Sequence, residues 1–202
     1  MTASVPEGDA SIRAFVGLGL GGEARRALAG AIRALATRRW AREVRWVDEA
    51  SLHLTLRFLG DVAAAEVPRI LEALEAALAE VAPFTFTLGD PVGFPTPRRP
   101  RVVAVGPRDE TPTAGLAAVV ERAIVALGLP PEPRPFRAHV TLGRLRRPPA
   151  RRIDLSREGM AAPVVVPVTE VRLYQSVLDR AGSRYSVLGR VPLGASDAGR
   201  GR

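Results

Sequence analysis

One short segment occurs twice in this chain, and any fold the chain adopts must place both copies. The first is Leu52-His53-Leu54-Thr55-Leu56-Arg57-Phe58 and the second is Ala138-His139-Val140-Thr141-Leu142-Gly143. The chain contains 2 histidines, and each is followed at the second position by threonine. Successive side chains of a strand point to opposite faces. His53 and Thr55 therefore share one face, with Leu52, Leu54, Leu56 and Phe58 on the other. In the second copy His139 and Thr141 stand opposite Phe136, Ala138, Val140 and Leu142. A single His-x-Thr carries little weight, because a strand histidine is more often a hydrogen-bonded structural residue. Its recurrence in the same apolar frame is the informative observation.

If both polar faces line one groove, the chemistry follows from the side chains. Imidazole titrates near neutrality, so one ring can hold a proton while the other lacks it, giving a general acid and a general base. The two threonine hydroxyls supply hydrogen bonds to an oxyanion, and phosphate has several oxygens that can use both. The pattern points to phosphoryl transfer without a metal.

Composition narrows the alternatives. The 202 residues are 47% hydrophobic, enough to bury a substantial core. The formal net charge is +8, and all 29 basic residues are arginine. Coding bias accounts for arginine replacing lysine, but the net charge itself favours an anionic partner. There is no cysteine, which excludes disulfides, thiolate catalysis and cysteine-based zinc sites. Two histidines with no clustered carboxylates do not make a metal site, so neither metal nor cofactor is expected. The polar first residues lack a signal-peptide pattern and no apolar run reaches membrane-spanning length. The expectation is a cytoplasmic monomer with no membrane association and no obligate protein partner.

Along the chain, residues 1–10 read as a flexible leader, 11–194 as one bilobal domain and 195–202 as a disordered tail. Ile12 to Leu18 alternates as a strand, and Glu23 to Arg39 has helical periodicity. Val44 to Val47 is a short strand placed as a neighbour of the first histidine strand, which Gly60-Asp61 closes. Val67 to Val81 is a helix, and Phe84 to Leu88 a strand. The stretch from Asp90 to Arg101 is too rich in proline for a regular element and reads as a loop carrying Phe94, Arg98, Arg99 and Arg101. Val102 to Val105 is a strand, and Thr113 to Leu127 a helix stopped by Gly128. Past the second histidine strand, Arg144, Arg146, Arg147, Arg151 and Arg152 surround Pro148-Pro149 in a basic loop. Val164 to Val166, Val168 to Tyr174 and Tyr185 to Leu193 are strands, the last two forming a hairpin. The order implies an α+β fold built by internal duplication: two mostly antiparallel sheets facing across a central cleft, helices outside, one histidine and one threonine from each sheet.

The sequence resembles the two-histidine phosphoesterase superfamily, and within it the RNA 2',3'-cyclic phosphodiesterases, historically called 2'-5' RNA ligases. The likeness runs from Ile12 to Leu193. It includes Arg13-Ala14-Phe15-Val16, Val44-Arg45-Trp46-Val47, the two histidine strands, Leu173-Tyr174-Gln175-Ser176 and Gly182-Ser183-Arg184-Tyr185. One departure is Ala138, where the family usually has proline. The resemblance implies metal-independent hydrolysis of a terminal 2',3'-cyclic phosphate on RNA to a 2'-phosphomonoester, with 2'-5' joining of RNA ends as the reverse direction. It implies His53 as proton donor, His139 as acceptor, and Thr55 and Thr141 as ligands of the phosphoryl oxygens. Arg144 is a further substrate-binding candidate, although regular alternation would aim it away from the site.

Two other readings stay open at the level of sequence. One keeps the fold but acts on small cyclic nucleotides or on cyclic phosphates left by tRNA splicing. The other is a noncatalytic RNA-binding module, which explains the charge but not the matched histidines.

Overall fold

The computed structural model describes residues 10–97, 100–147, 153, 155, 158–179 and 182–194. The expected leader up to residue 9 and the tail from residue 195 lie outside the described residues, as do Arg98, Arg99, Arg151, Arg152 and the Pro148-Pro149 pair.

Strand β1 (Ser11–Gly19) runs antiparallel to the first histidine strand, β3 (His53–Ala63). Its other edge pairs with β9 (Glu170–Asp179), which forms a hairpin with β10 (Gly182–Pro192). The second half repeats the idea. The second histidine strand, β7 (Val140–Leu145), pairs antiparallel with β6 (Val102–Val105), and β6 with β5 (Val92–Phe94). β2 (Val44–Trp46) pairs with β7. The two halves are continuous through one residue pair, Leu54 with Val140. A separate ribbon joins β4 (Phe84–Leu88) to β8 (Val164–Val168). The α+β architecture expected from the sequence, mostly antiparallel sheets with helices outside, is the one observed, but the two histidine strands belong to the larger sheet together instead of one to each sheet.

The helices cover the side away from the histidines. α1 (Gly22–Ala36) buries Ala24, Leu28, Ala29 and Leu35, and packs on β7 and β8. α2 (Val67–Leu78) buries Val67, Ile70, Leu74 and Leu78 at helical spacing, with Pro68 in its first turn where no intrahelical donor is lost. α3 (Thr111–Ala126) buries Leu116, Ala117, Val120 and Ile124 and packs against α2 and β3. Gly128, at φ +94°, ends the chain's course through α3 in a conformation that favours glycine. These helix faces form one core with Leu54, Leu56, Val140 and Leu142. Among the described residues, no helix is long and apolar enough to cross a membrane.

Three local expectations are corrected. β2 joins the second half through β7 instead of lying beside β3, so the connection before the first histidine strand crosses between lobes. Gly60 does not close β3; the strand runs on to Ala63, and the positive φ of Gly60, +75°, sits beside a register shift that absorbs it. The segment from Asp90 to Arg101 is not all loop, because Val92–Phe94 pairs with β6. Pro91 and Pro95 flank this strand instead of interrupting it, and it lies at the end of the sheet, where a missing donor costs least.

The same irregularity occurs in both histidine strands. β1 and β3 pair Gly17 with Thr55 and Val16 with Arg57, leaving Leu56 as an extra residue. β6 and β7 pair Ala104 with Thr141 and Val103 with Gly143, leaving Leu142 as an extra residue. A bulge of this kind inverts the alternation beyond it. Phe58 is therefore on the histidine face, 48% exposed, and not on the apolar face that simple alternation assigned to it. Arg57 is turned inward, 7% exposed, beneath the sheet. There its guanidinium faces Glu121 of α3, lies 3.7 Å from Glu132, and donates to the carbonyls of Phe58 and Pro130. The Glu132 amide donates to Glu121 Oε1 at 2.9 Å. Arg57 thus ties the first histidine strand to the segment that delivers the second.

Candidate active site

The pairing of Leu54 with Val140 places the two motifs against each other with opposite chain direction. In an antiparallel pair the residues flanking the bridge oppose one another on a single face, so His53 lies toward Thr141 and Thr55 toward His139. The two motifs are related by an approximate twofold axis through the Leu54–Val140 bridge.

Both imidazoles are anchored in the same way. His53 Nδ1 lies 2.8 Å from the carbonyl oxygen of Ser51, and His139 Nδ1 lies 2.9 Å from that of Arg137, in each case two residues back. A carbonyl only accepts, so Nδ1 carries hydrogen and donates in both rings. The tautomer is thereby set, and Nε2 is the nitrogen left for chemistry. His53 Nε2 is 3.1 Å from Thr55 Oγ1, joining ring and hydroxyl of the same motif.

The surroundings of the two rings differ. His53 sits in an aromatic corner, with ring centroids 4.8 Å from Phe15 and 4.7 Å, edge-on, from Tyr185. Phe15 stacks on Tyr174 at 4.9 Å. His139 stacks on Phe94 at 4.2 Å, and the Arg137 guanidinium lies 5.1 Å from the same Phe94 ring. Phe94 is held at this position by β5, the strand that the proline content concealed.

Burial is the main reason that both histidines titrate below their ordinary value of 6.5, with the carbonyl contacts at Nδ1 acting in the other direction. The positive charge of Arg144 lowers both further. His53 is also lowered by His139, and His139 by Arg137, while Glu110 raises His139. Each histidine is therefore within electrostatic reach of Arg144, and the two rings sense each other. The bulge at Leu142 explains why Arg144 faces them: it restores to the site side a residue that unbroken alternation would turn away. Phe58 holds the equivalent place in the first motif.

The structure thus brings together His53, Thr55, His139, Thr141 and Arg144. Sequence reasoning did not assign site positions to Phe15, Tyr174, Tyr185 or Arg137, and it weighed Phe94 only as part of a lip with Arg98, Arg99 and Arg101 that could contact a base, preferring a plain surface loop, and not as a partner of His139. The signal for Phe15 was present in the alternation of β1, which sets it opposite the Ile12, Ala14, Val16, Leu18 stripe. Among the described residues, no three of His, Cys, Asp and Glu are grouped as a metal site.

The family of LigT like phosphoesterases matches the chain in two successive segments, residues 18–104 and 105–185, with one His-x-Thr in each. The chain belongs to this family. An RNA 2',3'-cyclic phosphodiesterase of Aeropyrum pernix is 36% identical over 164 residues, covering 74% of this chain and 86% of the relative. An RNA 2',3'-cyclic phosphodiesterase of Geobacillus stearothermophilus is 32% identical over 154 residues, covering 75% of this chain; the match spans about half, 49%, of that longer protein. Among solved structures, E. coli LigT complexed with 3'-AMP superposes with a TM-score of 0.74 at 30% identity, over 91% of this chain and 99% of that one. The double match agrees with the duplication inferred from the two histidine strands.

Proposed function

We propose that this LigT-like phosphoesterase hydrolyses the terminal 2',3'-cyclic phosphate of RNA to a 2'-phosphomonoester, with His53 as general acid and His139 as general base. The observation that carries this reading is the matched anchoring of the two imidazoles through Nδ1, which leaves Nε2 of each ring for proton transfer on strands paired at Leu54 and Val140. The names of the relatives and the nucleotide-bound neighbour support it.

Displacement at phosphorus is in line, so the attacking and departing oxygens lie on opposite sides and need separate proton-transfer groups. His139 Nε2 takes a proton from water as its oxygen bonds to phosphorus. The bond from phosphorus to the ribose 3' oxygen breaks, and His53 Nε2 delivers a proton to that oxygen. Thr55, Thr141 and Arg144 hold the non-bridging oxygens, whose charge grows in the transition state. Burial and Arg144 favour the neutral form of each ring in the free enzyme. An anionic phosphate seated between the rings offsets Arg144 and favours the protonated form of one of them. A ribose 5'-hydroxyl in place of water gives 2'-5' joining through the same groups.

In this reading residues 11–194 act as one bilobal domain, in the cytoplasm, as a monomer, since one chain supplies both histidines. The test is product analysis with an oligoribonucleotide ending in a 2',3'-cyclic phosphate, with and without chelator. The expected product carries its phosphate on the 2' oxygen, at a rate unchanged by chelator. A 3'-phosphate product, or no turnover, refutes the assignment.

A further inference from the structure

The register across the first half of the sheet places a row of four residues on the histidine face. Thr55 of β3 pairs with Gly17 of β1, Gly17 with Arg172 of β9, and Arg172 with Arg190 of β10. The third member of the row toward the edge is thus a cation, and only a glycine stands between it and the threonine of the first motif. The next glycine of β1, Gly19, is opposite His53, and the Arg172 guanidinium fills the space that any side chain at position 19 would need. Arg172 therefore leans along the bare floor of β1 toward the His53 row. Each cross-strand pair separates backbones by about 5 Å, so the two pairs from Thr55 to Arg172 span about 10 Å, and the Arg172 side chain, reaching over Gly19, brings the cation back within a nucleotide's reach of the phosphoryl site.

The cation is built into place. Arg172 Nε donates to Glu170 Oε1 at 2.5 Å, and Arg190 Nη1 donates to the same oxygen at 2.6 Å. Arg172 also hydrogen bonds the Tyr174 hydroxyl, whose ring stacks on Phe15. One carboxylate between two guanidiniums leaves the group positive, and Arg25 lies within electrostatic reach of the same Tyr174. The Arg172 side chain is 18% exposed and that of Arg190 51%, so the group is oriented yet open to solvent. Exposed ion pairs contribute little to stability by themselves. A fixed guanidinium fork, by contrast, suits the two non-bridging oxygens of a phosphodiester.

We propose that Arg172 and Arg190, oriented by Glu170 and Tyr174, form a second phosphate subsite that takes the phosphodiester on the 5' side of the terminal nucleoside. The inference rests on the proposed function and specifies its substrate class: an oligoribonucleotide is preferred to a nucleoside 2',3'-cyclic phosphate, which lacks that phosphodiester.

The experiment compares kcat/KM for adenosine 2',3'-cyclic phosphate with that for the dinucleotide ApA ending in a 2',3'-cyclic phosphate, in the wild type and in the Arg172→Gln/Arg190→Gln variant. The ratio of dinucleotide to mononucleotide is the readout. It is expected to exceed roughly tenfold in the wild type, the worth of one charge-assisted hydrogen-bonded contact, and to fall toward one in the variant. It is also expected to fall as salt rises in the wild type and to respond less in the variant. If the double variant does not fold, Arg190→Gln alone, on edge strand β10, reads the same ratio. Equal use of both substrates by the wild type, or an unchanged ratio in the variants, overturns the subsite and leaves the proposed function standing. Turnover of neither substrate by the wild type overturns the proposed function, and the subsite with it.

Discussion

Replacing Arg57 by methionine tests the link between the two halves of the site. The substitution keeps most of the buried stem and removes the charge that faces Glu121 and Glu132. Deleting one partner of a buried ion pair costs about 3–5 kcal/mol, because the other charge is left without compensation. Here the two glutamates are 30% and 22% exposed and regain part of their hydration, which brings the cost to or below the floor of that range, about 2–3 kcal/mol. For a chain of this size, 1 kcal/mol corresponds to about 2–4 °C in Tm, so a fall of about 5–10 °C is expected. The assay is urea and thermal unfolding, with Glu121→Gln added in the same background to recover part of the loss. Activity is measured at a temperature where both proteins are folded. Arg57 also fixes the Pro130 carbonyl, and with it the connector leading to His139, so kcat falls more than KM changes. A stability loss below about 1 kcal/mol, or wild-type kcat in a destabilised protein, refutes the coupling.

Alanine at His53 or His139 is expected to lower kcat by roughly 100-fold to 10,000-fold, and at Thr55 or Thr141 by less, checked by single-turnover rates on a cyclic-ended oligonucleotide. Because burial and Arg144 hold both rings below 6.5, kcat/KM should peak on the acid side of 6.5 and decline as pH rises and the protonated acid is depleted. A pH profile that climbs monotonically contradicts this, and Arg144→Gln should move the peak to higher pH while weakening substrate binding. The same shifts enter stability: folded values lie below unfolded ones, so the histidines stabilise the fold above about 6.5 and that contribution is lost as pH falls through the folded values. Tm measured from pH 8 to pH 5 should decline accordingly, and the decline should be smaller in the two histidine variants. Gly17→Ala places a Cβ 2.8 Å from the Leu54 carbonyl oxygen, at the bridge between the halves. A loss of about 1–3 kcal/mol by chemical denaturation, with reduced kcat, is the expected result.

The elements of the fold were legible because their signals are local. Leu28 and Leu35 in α1, the α2 stripe and the alternation of β1 all follow from periodicity over a few residues. The histidine and threonine positions were legible for a different reason: the motif occurs twice and uses every histidine in the chain. Register was not legible. Neither Leu56 nor Leu142 announces a bulge, yet those two residues decide that Phe58 and Arg144 face the cleft and that Arg57 does not. Phe94 was obscured by the prolines around it, since its strand exists only through pairing with β6. Arg172 and Arg190 are 18 residues apart in sequence, and only the hairpin register sets them side by side next to Gly17.

The near-twofold relation between the motifs has a chemical consequence. Two rings held by identical backbone contacts are interchangeable so far as those contacts are concerned, so the Nδ1 anchors cannot decide which ring gives the proton and which receives it. That polarity must be written in the residues that the duplication did not copy: an aromatic corner beside one ring, a guanidinium-backed phenylalanine beneath the other, Phe58 where its counterpart is Arg144. The direction of the reaction is encoded in the broken symmetry.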